Sequence, residues 1–421
     1  MSYSTLKTAL AKAAAATAVV ATGAGAMIAG GTTAGADPKQ LSALTVMGSD
    51  TTQDIMNAFT GFSNGKNYTP LQSSAASGFR QVASFDATKA AAGAPDDCIT
   101  PKVKGSTMYR PNGSSEGRRA LSRAIDGTGY GPAALCGGTK PVSGLVDFAR
   151  SSSRPASGDT GTALTYVPFA RDGLSFAYYR ASGGAPVTSL TRAQLNTLFT
   201  SGPQTIGGVN IIPCGIQIGS GTFQSWNTTT GATTSQEDAA VATCKAIVTT
   251  SDDEAGRLQE HNAAQLVDKG DAAPGGSQVI VGFSASNWVA QCNQVGFYRL
   301  GANPGTTTGA QMGSITDNGS GVNLGNPVNA NGTTCNTSTA NWTPVASFYN
   351  DATFGRDVYN VFNTTQIDHA FSFVDLRSLF KGSTSAACSG AAAATVKLHG
   401  FLTPANCGDT SLKGSLISGI Q

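Results

Sequence analysis

Charge is scarce in this sequence. Only 12% of its 421 residues are Asp, Glu, Lys or Arg, the formal net charge is +2, and histidine occurs three times. No cluster of Lys and Arg forms the footprint of a nucleic-acid surface. His261, His369 and His399 are too few for a dinuclear phosphatase, and Asp368-His369 are sequence neighbours rather than separated partners of a hydrolase triad. A G-x-S-x-G elbow is missing as well. These absences argue against an enzyme, and no metal or cofactor is expected. The eight cysteines show no C-x-x-C spacing, which argues against zinc. Past the first residues, no apolar run is long enough to span a bilayer.

What is abundant is small and neutral: Gly, Ala, Ser and Thr. Lys7 and Lys12 precede an Ala/Val-rich stretch, and Ala34-Gly35-Ala36 has the small-x-small form of a cleavage site. Residues 1–36 read as a secretory signal, with Asp37 as the mature start and no cysteine nearby to carry a lipid. The product is expected outside the cell or at its surface. An even cysteine count in an exported chain argues for disulfides. Pairing in sequence order is the expectation: Cys98–Cys136, Cys214–Cys244, Cys292–Cys335 and Cys388–Cys407.

Four turns stand out. Strand-like Leu44–Met47 leads into Gly48-Ser49-Asp50-Thr51-Thr52, followed by Ile55, Met56, Phe59 and Phe62 at helical spacing. Gly113-Ser114-Ser115-Glu116-Gly117 precedes Leu121, Ala124 and Ile125, with Ser114 or Ser115 as the cap of that helix. Leu145-Val146 runs through Asp147-Phe148 to Ala149-Arg150-Ser151-Ser152. Strand Val209–Ile212 feeds Gly219-Ser220-Gly221-Thr222, after which Phe223 and Trp226 open a helix. Such turns aim backbone N–H groups and hydroxyls at one point, under the positive end of a helix dipole. They are anion cradles in form. Elsewhere, a second strand is expected at 79–85, two strand pieces joined at a polar turn at 166–179, and a Thr191/Gln194 capping box with Leu195, Leu198 and Phe199 beneath it. Helices are expected at 236–248 and 252–268, with His261 on an exposed face. Strands are expected at 278–283, 345–349, 358–362 and 396–402. A last helix carries Phe371, Val374, Leu379 and Phe380, and residues 301–345 form a polar excursion. The order is α/β, with two mixed or parallel sheets flanked by helices.

The four turns, in this order, resemble those of phosphate-type (PstS-like) solute-binding proteins of ABC importers, in the type II periplasmic-binding superfamily. Val146-Asp147-Phe148-Ala149-Arg150-Ser151-Ser152 resembles the family's Val-Asp-Phe-Gly-Ala-Ser-Asp motif, and Gly219 to Thr222 its Gly-Ser-Gly-Thr loop. Val167–Ala170 resembles the crossover strand, and Leu190–Leu195 with Leu198-Phe199 a helix of the second lobe. The resemblance implies two lobes joined by a double-crossover hinge: 37–170 and 350–421 in one, 171–349 in the other. It implies a monomer that holds phosphate or a similar oxyanion through Thr51, Thr52, Ser114, Ser115, Ser151, Ser152, Ser220, Gly221 and Thr222, and an ABC permease as partner. Two family positions differ. The proton-accepting Asp of the third motif is Ser152. The Arg and Asp four and two residues before the Gly-Ser-Gly-Thr serine are Ile216 and Ile218. Arg150, Arg154 or Arg118 could supply the charge, and Asp50 or Glu116 the proton acceptor. Trp226, Tyr109 and Trp288 serve either core packing or the cleft wall. The alternative expectation is a secreted surface or interaction protein that keeps this scaffold but has lost phosphate binding and transport.

Overall fold

The computed structural model describes residues 44–61, 82–88, 98–249, 256–296, 309–329, 342–369 and 374–419, which belong to one compact unit. The expected signal segment and Cys335 lie outside them. The architecture is α/β, built on one large mixed sheet flanked by helices.

Strand β1 (Leu44–Gly48) is buried along its whole length and lies parallel to β2 (Val82–Ser84) and β3 (Phe148–Ser151). β1 was expected as a short alternating strand, but both of its faces are buried, as in a sheet covered by helices on both sides. Between them the chain forms α1 (Gln53–Phe59) and α2 (Ser114–Asp126). Strand β4 (Leu164–Tyr179) follows, then the helix α3 (Arg192–Ser201), the antiparallel β5 (Gln204–Ile206) and β6 (Val209–Pro213), and α4 (Gly221–Thr230). After α5 (Ala263–Ala272), β7 (Gln278–Ser284) pairs parallel with β6, and α6 (Ala285–Cys292) leaves its end. Strand β8 (Gly355–Asn363) precedes α7 (Val374–Phe380) and α8 (Gly390–Leu398). The sheet order is β5-β6-β7-β4-β8-β3-β1-β2, with short strands Gln311–Met312 and Lys413–Gly414 also on β4.

β4 joins the expected sheets into one. It runs sixteen residues without the expected turn, pairing antiparallel with β8 through Gly173 and with β7 from Leu174 onward. The polar Arg171-Asp172 that suggested a turn is held in extended backbone by ion pairs to Asp357 and Arg356. The buried apolar side chains change cluster here. Leu174, Phe176, Trp226, Trp288 and Phe354 belong to one cluster. Val167, Phe169, Ile55, Phe148 and Phe362 belong to a second, and Tyr166, Met47, Leu121 and Val361 to a third. The second and third lie on opposite faces of the same strands, as the side-chain alternation of Val361 and Phe362 requires.

Several local expectations change. Residues 346–349 are a helical turn and 390–398 a helix, where strands were expected. The run Ala391–Ala394 has high helix propensity, and that outweighs the β-branched residues after it. The expected helix 252–268 begins only at Ala263 within the described residues; 256–262 is irregular. The N-cap of α2 is Gly113, neither serine. The Thr191–Gln194 capping box forms as expected, and Ser220 caps α4 by accepting from Phe223 N. Trp226, Trp288 and Tyr109 are core residues, each packed against another ring.

Disulfides Cys98–Cys136, Cys214–Cys244 and Cys388–Cys407 are closed. Cys292 is disulfide-bonded too. Cys214 ties the end of β6 to a residue 30 positions on, immediately before the turn that enters α4. Replacing Cys214 and Cys244 together by Ala should lower the unfolding free energy by about 3–4 kcal/mol, the loop-entropy value for such a span, as read from urea denaturation.

Candidate functional site

Two turns from distant parts of the chain meet edge to edge. Ser115 N donates to Gly219 O at 3.1 Å. A Cβ on Gly113, whose φ is +98°, would stand 2.6 Å from that same oxygen. A Cβ on Gly221 would stand 2.4 Å from both Ser114 Oγ and Ser152 Oγ. Glycine is required at both positions by close approach. Ser114 Oγ meets Ser152 Oγ at 3.2 Å and accepts from Ser152 N at 2.9 Å, and Thr51 Oγ1 meets Thr222 Oγ1 at 3.2 Å. All four turns read from the sequence converge.

Their donors point at an acceptor the sequence reading did not anticipate, the carboxylate of Glu260. Its Oε1 accepts from Thr51 N at 2.8 Å, Thr51 Oγ1 at 2.6 Å and Ser49 Oγ at 3.5 Å. Its Oε2 accepts from Ser220 Oγ and from Thr222 N at 3.2 Å. The side chain is buried and touches no cation among the described residues. What holds it is a set of neutral donors, two of them backbone N–H groups. Thr222 N belongs to the first turn of α4, where the helix dipole favours negative charge.

A second carboxyl lies beside it. Asp50 is buried and accepts through Oδ2 from Gln217 Nε2 at 3.0 Å. The same oxygen is 2.8 Å from His261 Nδ1. Asp50 Oδ1 is buried without a donor. A carboxyl and a carboxylate can share a proton where two carboxylates repel. Burial, and then the charge of Asp50, pushes the Glu260 carboxyl up to about 7 from an ordinary 4.5. Burial raises Asp50 as well.

A guanidinium reaches the cradle from Arg356, at the start of β8. It donates to Thr222 Oγ1 at 2.8 Å and to Ser152 O at 3.1 Å, and it pairs with Asp172 through Nε and Nη2. Arg150 is buried beneath the first turn, with its donors spent on Ser49 O, Gly48 O, Phe85 O and Ser84 Oγ; burial lowers it to about 10. Arg118 bonds Ser114 O, Tyr166 and Gln224. Glu116 turns away to Arg119 and Tyr130. Beyond Ser152 and Arg356 opens a cavity of about 840 Å³, walled by Arg154, Thr228, Thr229 and Tyr359.

Of the residues expected to hold a ligand, Thr51, Ser220, Gly221 and Thr222 lie in the cradle, and Ser114 and Ser152 buttress it. Thr52 Oγ1 is buried close by with no partner. Ser115 sits at the edge, accepting from Gln224 Nε2 at 2.8 Å. Ser151 Oγ is used locally, on Ser153 O. Ile216, where a guanidinium was expected, is buried, and Ile218 is exposed. Asp50 does reach the cradle. The residues missed are Glu260, His261, Gln217, Arg356 and Asp172. His261 is buried in the loop rather than exposed on a helix.

The proton balance fixes a sign. Between about 4.5 and about 7 the folded protein holds a proton on Glu260 that the unfolded chain releases. Stability contributed by this group is therefore full below its unfolded value and lost as pH rises through the folded one. Urea midpoints should fall from about pH 5 to about pH 7, and Glu260→Gln should flatten that decline.

No family model matches the chain, and no curated protein does. Among solved structures it is similar to an ABC-type phosphate transport receptor from Vibrio cholerae, at 14% identity over 86% of this chain and 100% of that one, with a TM-score of 0.43. PstS from Borrelia burgdorferi gives 15% identity, 86% and 98% coverage and a TM-score of 0.36. A phosphate-binding protein from Stenotrophomonas maltophilia gives 13%, 76% and 79%, and 0.36.

Proposed function

We propose that this chain is an exported solute-binding protein that captures a small oxyanion, phosphate first, between the Ser49–Thr52 and Gly219–Thr222 turns, and delivers it to an ABC permease. One observation carries the reading. Five neutral donors from separate turns converge on the two oxygens of one carboxylate. A frame that holds two carboxylate oxygens can hold two oxygens of a tetrahedral anion, and it needs no metal to do so.

In this reading residues 37–170 and 350–421 form one lobe and 171–349 the other. Thr51 then comes from one lobe, and Ser220 and Thr222 from the other, so bound ligand favours the closed form by differential affinity. Arg356 supplies the guanidinium that Ile216 does not, through Thr222 Oγ1. No catalytic role is assigned, and the protein acts as a monomer.

The same carboxylate favours a second reading. A cradle filled by the chain's own Glu260 suits a secreted surface or interaction protein that has kept the scaffold and lost oxyanion capture and transport.

Calorimetry separates the two. The mature protein, unfolded and refolded to strip carried-over ligand, is titrated with phosphate and with sulfate. Binding is expected, and Ser220→Ala with Thr222→Ala should weaken it about 10- to 100-fold, the range for losing charge-assisted hydrogen bonds. Unchanged affinity in the double variant overturns the site. Absence of heat in the wild type and in Glu260→Ala alike would leave the second reading.

A further inference from the structure

The segment that carries Glu260 is braced independently of the cradle. Arg257 is buried and pairs with Glu237 through Nη1 and Nη2, at 3.1 and 2.7 Å, while Nη1 also donates to Ile216 O at 2.8 Å. Leu258 bridges Ile216 as an isolated parallel pair, with Gln217 N on Leu258 O and Leu258 N on Gly215 O. Gln259 N donates to Gln265 Oε1 at 2.7 Å. Glu260 therefore leaves a fixed backbone, and its carboxylate reaches the donors at the end of a flexible three-bond stem. Removing the carboxylate does not require moving the segment.

Resting on the oxyanion reading above, we infer that Glu260 is a tethered competitor that occupies the ligand's oxygen positions, so that it sets the affinity and the pH range of the cradle. Capture is then an exchange of one anion for another. The incoming oxyanion takes over Thr51 N, Thr51 Oγ1, Ser220 Oγ and Thr222 N, and the Glu260 side chain rotates away. The expelled carboxylate carries charge into the same neighbourhood unless it is protonated.

The charged groups that face Glu260 come from several elements. Asp50 lies beside it on the first turn, with His261 Nδ1 2.8 Å from Asp50 Oδ2. Gln217 adds only a neutral donor to Asp50. Arg150 of β3 lies under the turn, on the Gly48 and Ser49 carbonyls, and Arg356 of β8 reaches Thr222 Oγ1 but is paired with Asp172. Among the described residues, the charge of Arg150, hydrogen-bonded to carbonyls and a hydroxyl, faces two carboxylates when both carboxyls are ionised, which leaves little to attract a dianion. Protonating Glu260 removes one negative charge and weakens its hold on the N–H donors together.

Sulfate is the discriminating probe, because its charge does not change across the range in which Glu260 titrates. Wild type, Glu260→Ala and Glu260→Gln are titrated by calorimetry at about pH 8.5 and about pH 5.5, with circular dichroism melts as folding controls. At the higher pH both variants should bind at least about tenfold tighter than wild type, a gap of about 1.4 kcal/mol. Wild type should gain at least about tenfold on acidification. All three proteins keep His261, so only the difference between wild type and variants belongs to Glu260, and that gap should close at the lower pH. Equal or weaker binding in the variants at about pH 8.5 overturns the competitor while leaving the oxyanion reading intact. Should the variants fail to fold, a wild-type affinity that is flat or falls on acidification overturns it. Absence of sulfate and phosphate binding in all three proteins overturns both readings.

Discussion

Buried hydrogen-bond donors must find an acceptor, and the centre of this structure follows from that requirement. Thr51 N and Thr222 N are buried where two turns meet, and leaving either unsatisfied would cost about 1–3 kcal/mol. An external anion meets the requirement only while it is bound. Glu260 meets it when no such anion is bound, at the expense of a carboxyl buried against Asp50 with no cation in contact among the described residues. Burial of a charge on neutral donors alone is unfavourable, and protonation, favoured by burial and by the neighbouring Asp50, relieves it.

The same requirement explains where the positive charge sits. Arg356 and Asp172 lie on adjacent antiparallel strands, with Asp172 paired to Arg356 in the register of β4 and β8. Asp172 Oδ1 also accepts from Ser284 Oγ and Ser286 N at the start of α6. This ion pair is almost wholly buried, and it joins β4, β8, the end of β7 and, through Thr222 Oγ1, the cradle. Loss of one partner would leave the other charged and unpaired in the interior, which is far more costly than the pair itself is stabilising. Arg356 is thereby fixed as a structural brace that also orients Thr222.

The turns were legible in the sequence because their chemistry is local. Gly113 and Gly221 are needed where no Cβ fits, and Ser220 caps the helix it begins. Strand β1 and the Thr191–Gln194 capping box were legible for the same reason. Glu260 was not. Leu258 and Leu266 are spaced like one face of a helix, whereas the segment is fixed by a bridge to Ile216, some forty residues earlier, and by Arg257 reaching Glu237. Nothing local distinguishes a buried Glu-His from an exposed one. Arg356 was equally silent, because its importance depends on strand register. At Arg171-Asp172 the local rule pointed the wrong way: polar residues usually mark a turn, but here their charges are satisfied from neighbouring strands.

A site filled by its own carboxylate has a thermodynamic character that an open cradle lacks. In an open cradle the ligand displaces water, and affinity reflects the whole set of donor contacts less the desolvation of the anion. Here the contacts made by the ligand replace contacts of the same kind already made by Glu260, so only the difference remains. A tetrahedral anion must gain that difference from what a planar carboxylate cannot reach. Two groups nearby fit this description: the unpartnered Thr52 Oγ1 and the Arg356-bound Thr222 Oγ1. Both hydroxyls belong to fully buried residues. Preference between anions then depends on oxygens pointing outward from the plane that Glu260 occupies, and the number of such oxygens separates phosphate and sulfate from any carboxylate.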